Sequence, residues 1–178
     1  MVRSMNAPDP ATSPSLPEFL YHPDPVATGS VVPSDTMCAC CGQSRGYVYT
    51  GPVYAVADLH HALCPWCIAD GSAAERYEAQ FTEIDGSVPT DVVIAVEQRT
   101  PGFAGWQQER WLTHCGDAAV FLGRAGAREL KSYPDAQQLL EADFGETFLS
   151  ALDAEGQPTA YLFRCRHCVR YLAYADCT

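Results

Sequence analysis

Apolar side chains along this chain fall in short clusters separated by turn-forming residues, a pattern typical of many short elements. Tyr47-Val48-Tyr49 and Val53-Tyr54-Ala55-Val56 flank the run Thr50-Gly51-Pro52. β-Branched and aromatic residues on both sides of a Gly-Pro turn predict two short strands joined in a β-hairpin.

The C-terminal part of the chain shows the strand pattern three times. Apolar stretches at 148–152, 160–164 and 171–174 are separated by the turn residues 155–158 and by Cys165-Arg166-His167-Cys168. This spacing predicts strand, turn, strand, a second turn and strand. We therefore expect an antiparallel β-hairpin to close the chain.

Helix signals lie between these strand segments. Ser72, followed three residues later by a glutamate, predicts a capped helix over 72–81. Thr90 and the pair Pro101-Gly102 mark the ends of a second predicted helix over 91–99. Further helical segments are expected at 105–112, at 117–122 as a single turn, and at 134–142, which opens with a proline.

The first fifteen residues differ from the rest, because they are rich in Pro, Ser, Ala and Asp. They predict a flexible N-terminal tail at 1–15 and leave 16–178 as one domain. The tail lacks the apolar core of a signal peptide, and no stretch reaches the roughly 18–20 apolar residues that a membrane span needs. We expect a cytoplasmic protein without membrane insertion.

Composition and charge narrow the class of partner. The 178-residue chain has 47% hydrophobic and 19% charged residues, which is ordinary for a globular protein. Its formal net charge is −11, and its basic residues are scattered except for Arg164, Arg166 and Arg170. An acidic surface repels phosphate backbones, so nucleic-acid binding is disfavoured and another protein is the expected partner.

Four cysteines carry the strongest chemical signal. Cys38 and Cys41 form one CxxC pair, Cys64 and Cys67 form another, and 22 residues separate the pairs. Two CxxC turns can present four thiolates to one ion, which is the closed tetrahedral shell of structural zinc. Gly42 supports this interpretation, since the residue after such a turn often has a positive φ. The sequence predicts a zinc site here.

Two features leave alternatives to this assignment. Cys40 could replace Cys41 through a shift of register, although only Cys41 reproduces the CxxC spacing. Cys64-Pro65-Trp66-Cys67 also resembles redox-active CxxC sequences, which usually open a helix after a strand. A redox dithiol has no need of a second pair, so zinc is preferred.

A second cluster is expected around Cys165 and Cys168. This CxxC pair needs two more ligands, and the candidates are His114, Cys115, His167 and Cys177. Adjacent residues such as His114 and Cys115 do not easily bind one ion together, because their side chains tend to diverge. The most economical site joins the pair to Cys115 and to one of His114 or Cys177. Alternatively, Cys115 is a small buried hydrophobe, or a reactive thiol whose pKa is lowered by His114.

Other polar residues carry weaker signals. His60-His61 are expected to be exposed at the end of a strand. His22 and Asp24 could line a site, but the prolines around them favour an extended anchoring segment.

Several blocks resemble the CbrC-like family of bacterial proteins, which is associated with colicin tolerance. They are Phe-Leu-Tyr-His-Pro-Asp-Pro-Val-Ala-Thr-Gly-Ser (19–30), Cys-Ala-Cys-Cys-Gly (38–42), Tyr-Thr-Gly-Pro-Val-Tyr (49–54), Leu-Cys-Pro-Trp-Cys-Ile-Ala-Asp-Gly (63–71), Trp-Gln-Gln-Glu-Arg-Trp-Leu-Thr-His-Cys-Gly-Asp (106–117) and Phe-Arg-Cys-Arg-His-Cys (163–168). The resemblance implies a compact cytoplasmic protein and supplies no reaction. Val169 departs from the pattern, because glycine is the usual residue after the second cysteine of a CxxC turn.

These observations predict a single α+β domain with a zinc-ribbon-like β-hairpin, short helices and a C-terminal antiparallel β-hairpin. The first functional hypothesis is a zinc-stabilised protein-interaction or regulatory module without catalytic activity. The second is a thiol- or zinc-dependent enzyme centred on Cys115 and His114. The third is a nucleic-acid accessory factor, which would need a basic face.

Overall fold

A computed structural model describes residues 15–177. The predicted tail at 1–15 lies outside the described residues except for Ser15. Short helices and three small sheets alternate along the described chain, which confirms the predicted α+β fold. No helix between residues 15 and 177 has both the length and the apolar character needed to cross a membrane.

The first sheet pairs β1 (Val31–Pro33) with β2 (Tyr47–Tyr49) in antiparallel fashion. An antiparallel pair of strands thus lies beside the first cysteine pair, but the predicted hairpin between 47–49 and 53–56 was wrong. Tyr54 instead forms an isolated bridge with Gln80. Gly51 and Pro52 do not form a hairpin turn here. The Tyr49 side chain packs against them, and its hydroxyl donates to the Pro52 carbonyl at 2.8 Å.

Two helices follow β2 and cover the first sheet. They are α1 (Pro65–Ala69) and α2 (Ser72–Tyr77). The predicted helix at 72–81 is thus present but shorter, because Glu78 adopts a left-handed φ of 50° and stops it. A core of buried side chains including Val31, Leu63 and Phe81 joins these elements.

The middle of the chain forms the second sheet. Here β3 (Ile84–Asp85) runs parallel to β4 (Trp111–His114), which pairs antiparallel with β5 (Asp117–Ala118). Between β3 and β4, α3 (Thr90–Val93) continues as a π-helical turn over Ile94–Gln98, so the predicted helix at 91–99 is confirmed. Thr100 closes that turn by donating its hydroxyl to the Ala95 carbonyl at 2.8 Å.

Two helical predictions in this region were wrong. The segment 105–112 is irregular and ends in β4, because the Trp111 N–H donates to the Glu83 carbonyl and the Gln107 N–H to the Asp176 carboxylate. The segment 117–122 runs through β5 into β6 (Val120–Ala125), which pairs with a distant strand. In both places long-range pairing overrides the local helical pattern.

The C-terminal part combines a sheet with a helical layer. α4 (Ala127–Leu130), α5 (Pro134–Phe144) and α6 (Glu146–Ala151) lead into β7 (Thr159–Arg164) and β8 (Tyr171–Asp176). The predicted helix at 134–142 and the closing β7–β8 hairpin are confirmed. The strand predicted at 148–152 is helix α6, since it packs Leu149 with Leu130 and Leu140 against the sheet.

The third sheet has the order β6–β7–β8 with antiparallel neighbours. An aromatic core lies on its face toward β4, where Trp111, Phe121 and Phe163 are almost fully buried. Trp106 lies at the edge of this core and keeps 39% of its surface exposed. This packing fixes the ends of β4, β7 and β8 near one another, and these ends position the second cysteine cluster.

Candidate metal centres

The first cluster joins the β1–β2 connection to the start of α1. Cys38 and Cys41 lie in the loop between β1 and β2, whereas Cys64 directly precedes α1 and Cys67 lies within it. The backbone N–H of Tyr49 donates to the Leu63 carbonyl at 2.8 Å, which holds the second pair beside the hairpin. The structure thus brings together the four cysteines that the sequence selects.

The four sulfurs of this first cluster converge on one point. Their Sγ atoms all lie within 4.8 Å of one another, and the Cys38–Cys67 and Cys41–Cys64 pairs are each 3.9 Å apart. A tetrahedral shell with Zn–S bonds of about 2.3 Å places its sulfurs ~3.8 Å apart. The geometry therefore fits a four-coordinate metal ion.

Neighbouring groups fix the loop that carries Cys38 and Cys41. The Arg76 guanidinium donates to the Cys40 carbonyl at 2.7 Å, and the Tyr77 hydroxyl donates to the Ala39 carbonyl at 2.9 Å. Gly42 adopts a φ of 68° after Cys41, as its position predicts. Helix α2 therefore holds the cysteine loop from outside.

Burial and backbone polarity shape the chemistry of the first cluster. Cys38, Cys64 and Cys67 are buried, whereas Cys41 is exposed. A hydrogen bond from the Cys64 thiol, together with backbone N–H groups, lowers the pKa of Cys38 to about 4, so this sulfur is held as a thiolate. Thiolate is the form that ligates metal ions.

The structure distinguishes the zinc-type cluster from its two alternatives, Cys40 as a ligand and a redox-active CxxC pair. Cys40 is not part of the group, since its sulfur points to the Ser72 hydroxyl 3.6 Å away. Cys64-Pro65-Trp66-Cys67 does open a helix, as redox-active CxxC sequences do. The sulfurs of Cys38 and Cys41 nevertheless complete a four-thiol group around it, which a redox dithiol does not require.

The second cluster forms where the ends of three strands meet. His114 ends β4, Cys115 follows it, and Cys165 and Cys168 lie in the turn between β7 and β8. Their ligand atoms also lie within 4.8 Å of one another. His114 Nδ1 is 3.2 Å from the Cys115 sulfur and 3.4 Å from the Cys168 sulfur.

Adjacent His114 and Cys115 both belong to this cluster, which corrects the expectation that their side chains diverge. Cys115 has a φ of 54° and Gly116 a φ of 74°, so the backbone reverses sharply at this point. The reversal turns both side chains toward the same side. Cys115 is exposed, so its interpretation as a buried core residue was wrong.

Val169 occupies the position that glycine fills in the first cluster. It adopts a φ of 60°, close to the 68° of Gly42. A β-branched residue in this conformation is an outlier, because its side chain crowds the backbone. The two CxxC turns therefore share one backbone shape although only one of them has glycine.

Cys177, the alternative fourth ligand, lies elsewhere. β7 and β8 pair Arg164 with Tyr171 at one end and Thr159 with Asp176 at the other. Cys177 follows Asp176, whereas Cys165 follows Arg164, so the length of the hairpin separates them. At about 3.4 Å per residue, the strand between these two ends alone spans roughly 17 Å.

Sequence reasoning missed a buried carboxylate behind the second cluster. Asp117 accepts hydrogen bonds from the Tyr21 hydroxyl and His167 Nε2, both at 2.9 Å, and is paired with Arg166. Although burial raises the pKa of Asp117, these partners hold it below its ordinary value. The sequence feature that could have indicated this contact is the position of Asp117, two residues after the candidate ligand Cys115. Asp117 ties the 165–168 turn to the N-terminal segment.

The remaining histidines stay outside both clusters. His22 is fully buried, with Nδ1 2.7 Å from the Pro101 carbonyl and Nε2 2.7 Å from the Thr28 hydroxyl. Burial lowers its pKa to about 4, so it is a neutral core residue. His60 and His61 are exposed and stack on each other with ring centroids 3.9 Å apart.

The fold and the two clusters define a class: a small α+β protein with two four-residue groups that could each hold a metal ion. Residues 16–177 match the model of a family described as "Uncharacterised protein family (UPF0167)", and the chain belongs to this family. The resemblance seen in the sequence is thus confirmed as membership of an uncharacterised bacterial family, whose description does not carry the CbrC name.

Three bacterial relatives show how far the similarity extends. UPF0167 protein Mb2317 of Mycobacterium bovis and UPF0167 protein MT2352 of Mycobacterium tuberculosis are each 53% identical over 179 residues, covering 93% of this chain and 96% of theirs. UPF0167 protein PA1536 of Pseudomonas aeruginosa is 47% identical over 169 residues, covering 88% of this chain and 94% of its own. No solved structure matches.

Proposed function

We propose that both clusters hold structural Zn²⁺ and that the chain is a zinc-stabilised protein-interaction or regulatory module without catalytic activity. One observation carries the proposal: each group supplies four N or S ligand atoms within 4.8 Å of one another. Four protein ligands complete a tetrahedral shell and leave no position for substrate. Catalytic zinc sites, in contrast, usually have three protein ligands.

The ligand set favours zinc among the common metal ions. Four thiolates in one group, and three thiolates with one imidazole in the other, are the usual structural zinc shells. Hard ions such as Mg²⁺ and Ca²⁺ prefer oxygen ligands. All nine cysteines are free, as metal ligation by thiolates requires.

Surface charge supports a protein partner. The formal net charge of −11 becomes about three units more negative if seven thiolates hold two Zn²⁺ ions. An acidic surface disfavours nucleic acid and favours basic protein surfaces. The free thiols fit the reducing cytoplasm, which we propose as the location.

Metal analysis of the purified protein tests the proposal. We expect two zinc equivalents per chain, one after Cys64→Ser and one after Cys165→Ser. The matched controls are Cys40→Ser and Cys177→Ser, which change cysteines outside both groups and should leave two equivalents. Iron in place of zinc, or no tightly bound metal, would contradict the proposal.

Cobalt substitution tests the absence of an open position. Co²⁺ in a closed tetrahedral shell gives a visible spectrum that added imidazole or cyanide leaves unchanged. A spectrum that shifts with these small ligands would show a vacant coordination position and would favour a catalytic site.

One contact favours the enzyme alternative. Cys115 is exposed and its sulfur lies 3.2 Å from His114 Nδ1, which is the geometry of a thiol beside a base. However, the same nitrogen lies 3.4 Å from the Cys168 sulfur, so His114 does not serve Cys115 alone. A hydrogen bond with Cys168 also raises the pKa of Cys115 to about 11. Rapid alkylation of Cys115 by iodoacetamide while two zinc equivalents stay bound would support the enzyme, because it would show a reactive thiol that is not a zinc ligand.

The resemblance to CbrC-like proteins extends the proposal to colicin tolerance. Because a closed zinc site would leave no position for a substrate, we propose an indirect effect through a protein partner in the cell. Colicin survival should change when the gene is deleted and should return with the wild-type chain. A Cys64→Ser chain should fail to restore it.

A further inference from the structure

We infer that the second cluster, His114 with Cys115, Cys165 and Cys168, is a modification site for hydroperoxides. Oxidation there joins Cys115 to Cys168 and releases the metal ion, while the first cluster keeps its own. This inference rests on the proposed function, because it requires zinc in both clusters.

Accessibility distinguishes the two clusters. In the first, three of the four sulfurs are buried, and the exposed Cys41 faces the buried Cys64 at 3.9 Å. In the second, Cys115 and Cys168 are both exposed. A disulfide needs two sulfurs that an oxidant and each other can reach, and only the second cluster offers an exposed pair.

The remaining thiol of the second cluster is protected. Cys165 is almost fully buried and accepts a hydrogen bond from the His167 N–H at 3.4 Å. Donors to a sulfur stabilise its negative charge and so weaken it as a nucleophile. Oxidation is therefore directed to Cys115 and Cys168, whose sulfurs lie within 4.8 Å of each other.

The chemistry balances with hydrogen peroxide as the oxidant, and an alkyl hydroperoxide would lose an alkoxide in place of the first hydroxide. One thiolate attacks a peroxide oxygen, the O–O bond breaks, and a sulfenic acid forms as hydroxide leaves. The second thiolate attacks the sulfenic sulfur, an S–S bond forms, and a second hydroxide leaves. Two protons convert both hydroxides to water, so two thiolates lose two electrons and one peroxide gains them. Zn²⁺, left with two ligands, dissociates.

Oxidation of the second cluster affects neighbouring residues through the β7–β8 turn, which carries Cys165 and Cys168. Arg166 and His167 lie between Cys165 and Cys168 and both contact Asp117, which also accepts from Tyr21. Movement of Cys168 toward Cys115 changes this turn and its contacts. Oxidation thereby alters the surface formed by the β7–β8 turn and the N-terminal segment.

Hydrogen peroxide tests the inference on the full chain carrying Cys40→Ser and Cys177→Ser. These substitutions remove the two cysteines outside the clusters and keep every candidate ligand. Zinc release is followed with a chromogenic chelator, and disulfides are mapped by mass spectrometry of proteolytic peptides. We expect one of two zinc equivalents to leave at least ~10-fold faster than the other, with a Cys115–Cys168 disulfide. Dithiothreitol and added zinc should restore both equivalents.

Three outcomes would overturn the inference. Simultaneous loss of both ions, a disulfide within the first cluster, or retention of both ions at peroxide concentrations that oxidise a free thiol peptide would each do so. The proposed function is tested separately before peroxide is added. Fewer than two zinc equivalents at that stage would overturn the two-site proposal itself, whereas two resistant equivalents would overturn only this inference.

Discussion

The two cysteine clusters use the same turn in different surroundings. The first lies under α1 and α2 and joins two segments of one hydrophobic core, which includes Cys38, Cys64 and Cys67 themselves. The second lies at the surface, where β4 meets the β7–β8 turn, and two of its three thiols are exposed. One cluster belongs to the core, and the other closes the ends of strands that already pair.

This difference assigns the clusters unequal weight in stability. Around the first, backbone pairing is sparse: β1 and β2 have three residues each, and α1 has five. Around the second, β6, β7 and β8 have six residues each and enclose an aromatic core. A metal ion contributes most to folding stability where the surrounding secondary structure and core are smallest. The first cluster should therefore contribute more to the free energy of unfolding.

The largest expected effect is that of Cys64→Ser. Structural zinc contributes about 10–16 kcal/mol in small peptides, and a chain with its own core should lose several-fold less, roughly 3–5 kcal/mol. Thermal and urea unfolding, with zinc analysis, measure the loss. Cys40→Ser is the matched control, since Cys40 is adjacent to Cys41 but outside the cluster. An unchanged unfolding midpoint for Cys64→Ser would contradict the conclusion that the first cluster contributes more to stability than the second.

A smaller effect is expected for Cys165→Ser. The β7–β8 hairpin persists without its turn, so we expect a loss of about 1–3 kcal/mol and one zinc equivalent. Amide hydrogen exchange should rise around 165–170 and stay unchanged in β1 and β2. Cys177→Ser, at the other end of the hairpin, should change neither. A loss equal to that of Cys64→Ser would remove the distinction between core and surface cluster.

Local spacing was enough to predict the first cluster. Two CxxC pairs and Gly42 require only that two turns meet, and a turn is encoded within a few residues. The ligand set of the second cluster was less determined, because His114 and Cys115 lie about fifty residues before Cys165. Their meeting depends on the pairing of β6 with β7, which no local pattern specifies. The sequence therefore left His114 and Cys177 as alternatives.

The same limit explains the errors in the fold. The segments 105–112 and 117–122 contain helix-compatible residues, yet Trp111 and Phe121 are drawn into a shared aromatic core as parts of strands. Val169 shows the opposite case. The absence of glycine there suggested a different turn, but a local preference of about 1–2 kcal/mol was overridden by the surrounding contacts.

The support of the second cluster can be tested through Asp117→Asn. The amide keeps the shape of the carboxylate but loses its charge toward Arg166 and His167, so we expect a loss of about 1–2 kcal/mol. The second zinc should also exchange faster, as measured by transfer to a competing chelator. Tyr77→Phe removes the matching support of the first cluster, the 2.9 Å hydrogen bond to the Ala39 carbonyl. We expect Tyr77→Phe to speed zinc exchange at the first cluster only. Faster zinc exchange at the second cluster would contradict the assignment of Tyr77 to the first cluster and Asp117 to the second.

The smallest effect concerns the residue after each CxxC turn. Val169→Gly removes a Cβ from a left-handed backbone at a side chain that is 60% exposed, so it relieves strain and forfeits little packing. Glycine also gains entropy in the unfolded chain, which offsets part of the benefit, and we expect a net gain of roughly 0.5–1 kcal/mol. Gly42→Val is the reciprocal change and should cost about 1–2 kcal/mol, because it introduces the strain that the second turn already bears. Urea unfolding measures both. If Val169→Gly destabilises the chain while Gly42→Val is tolerated, the two turns do not share one backbone shape.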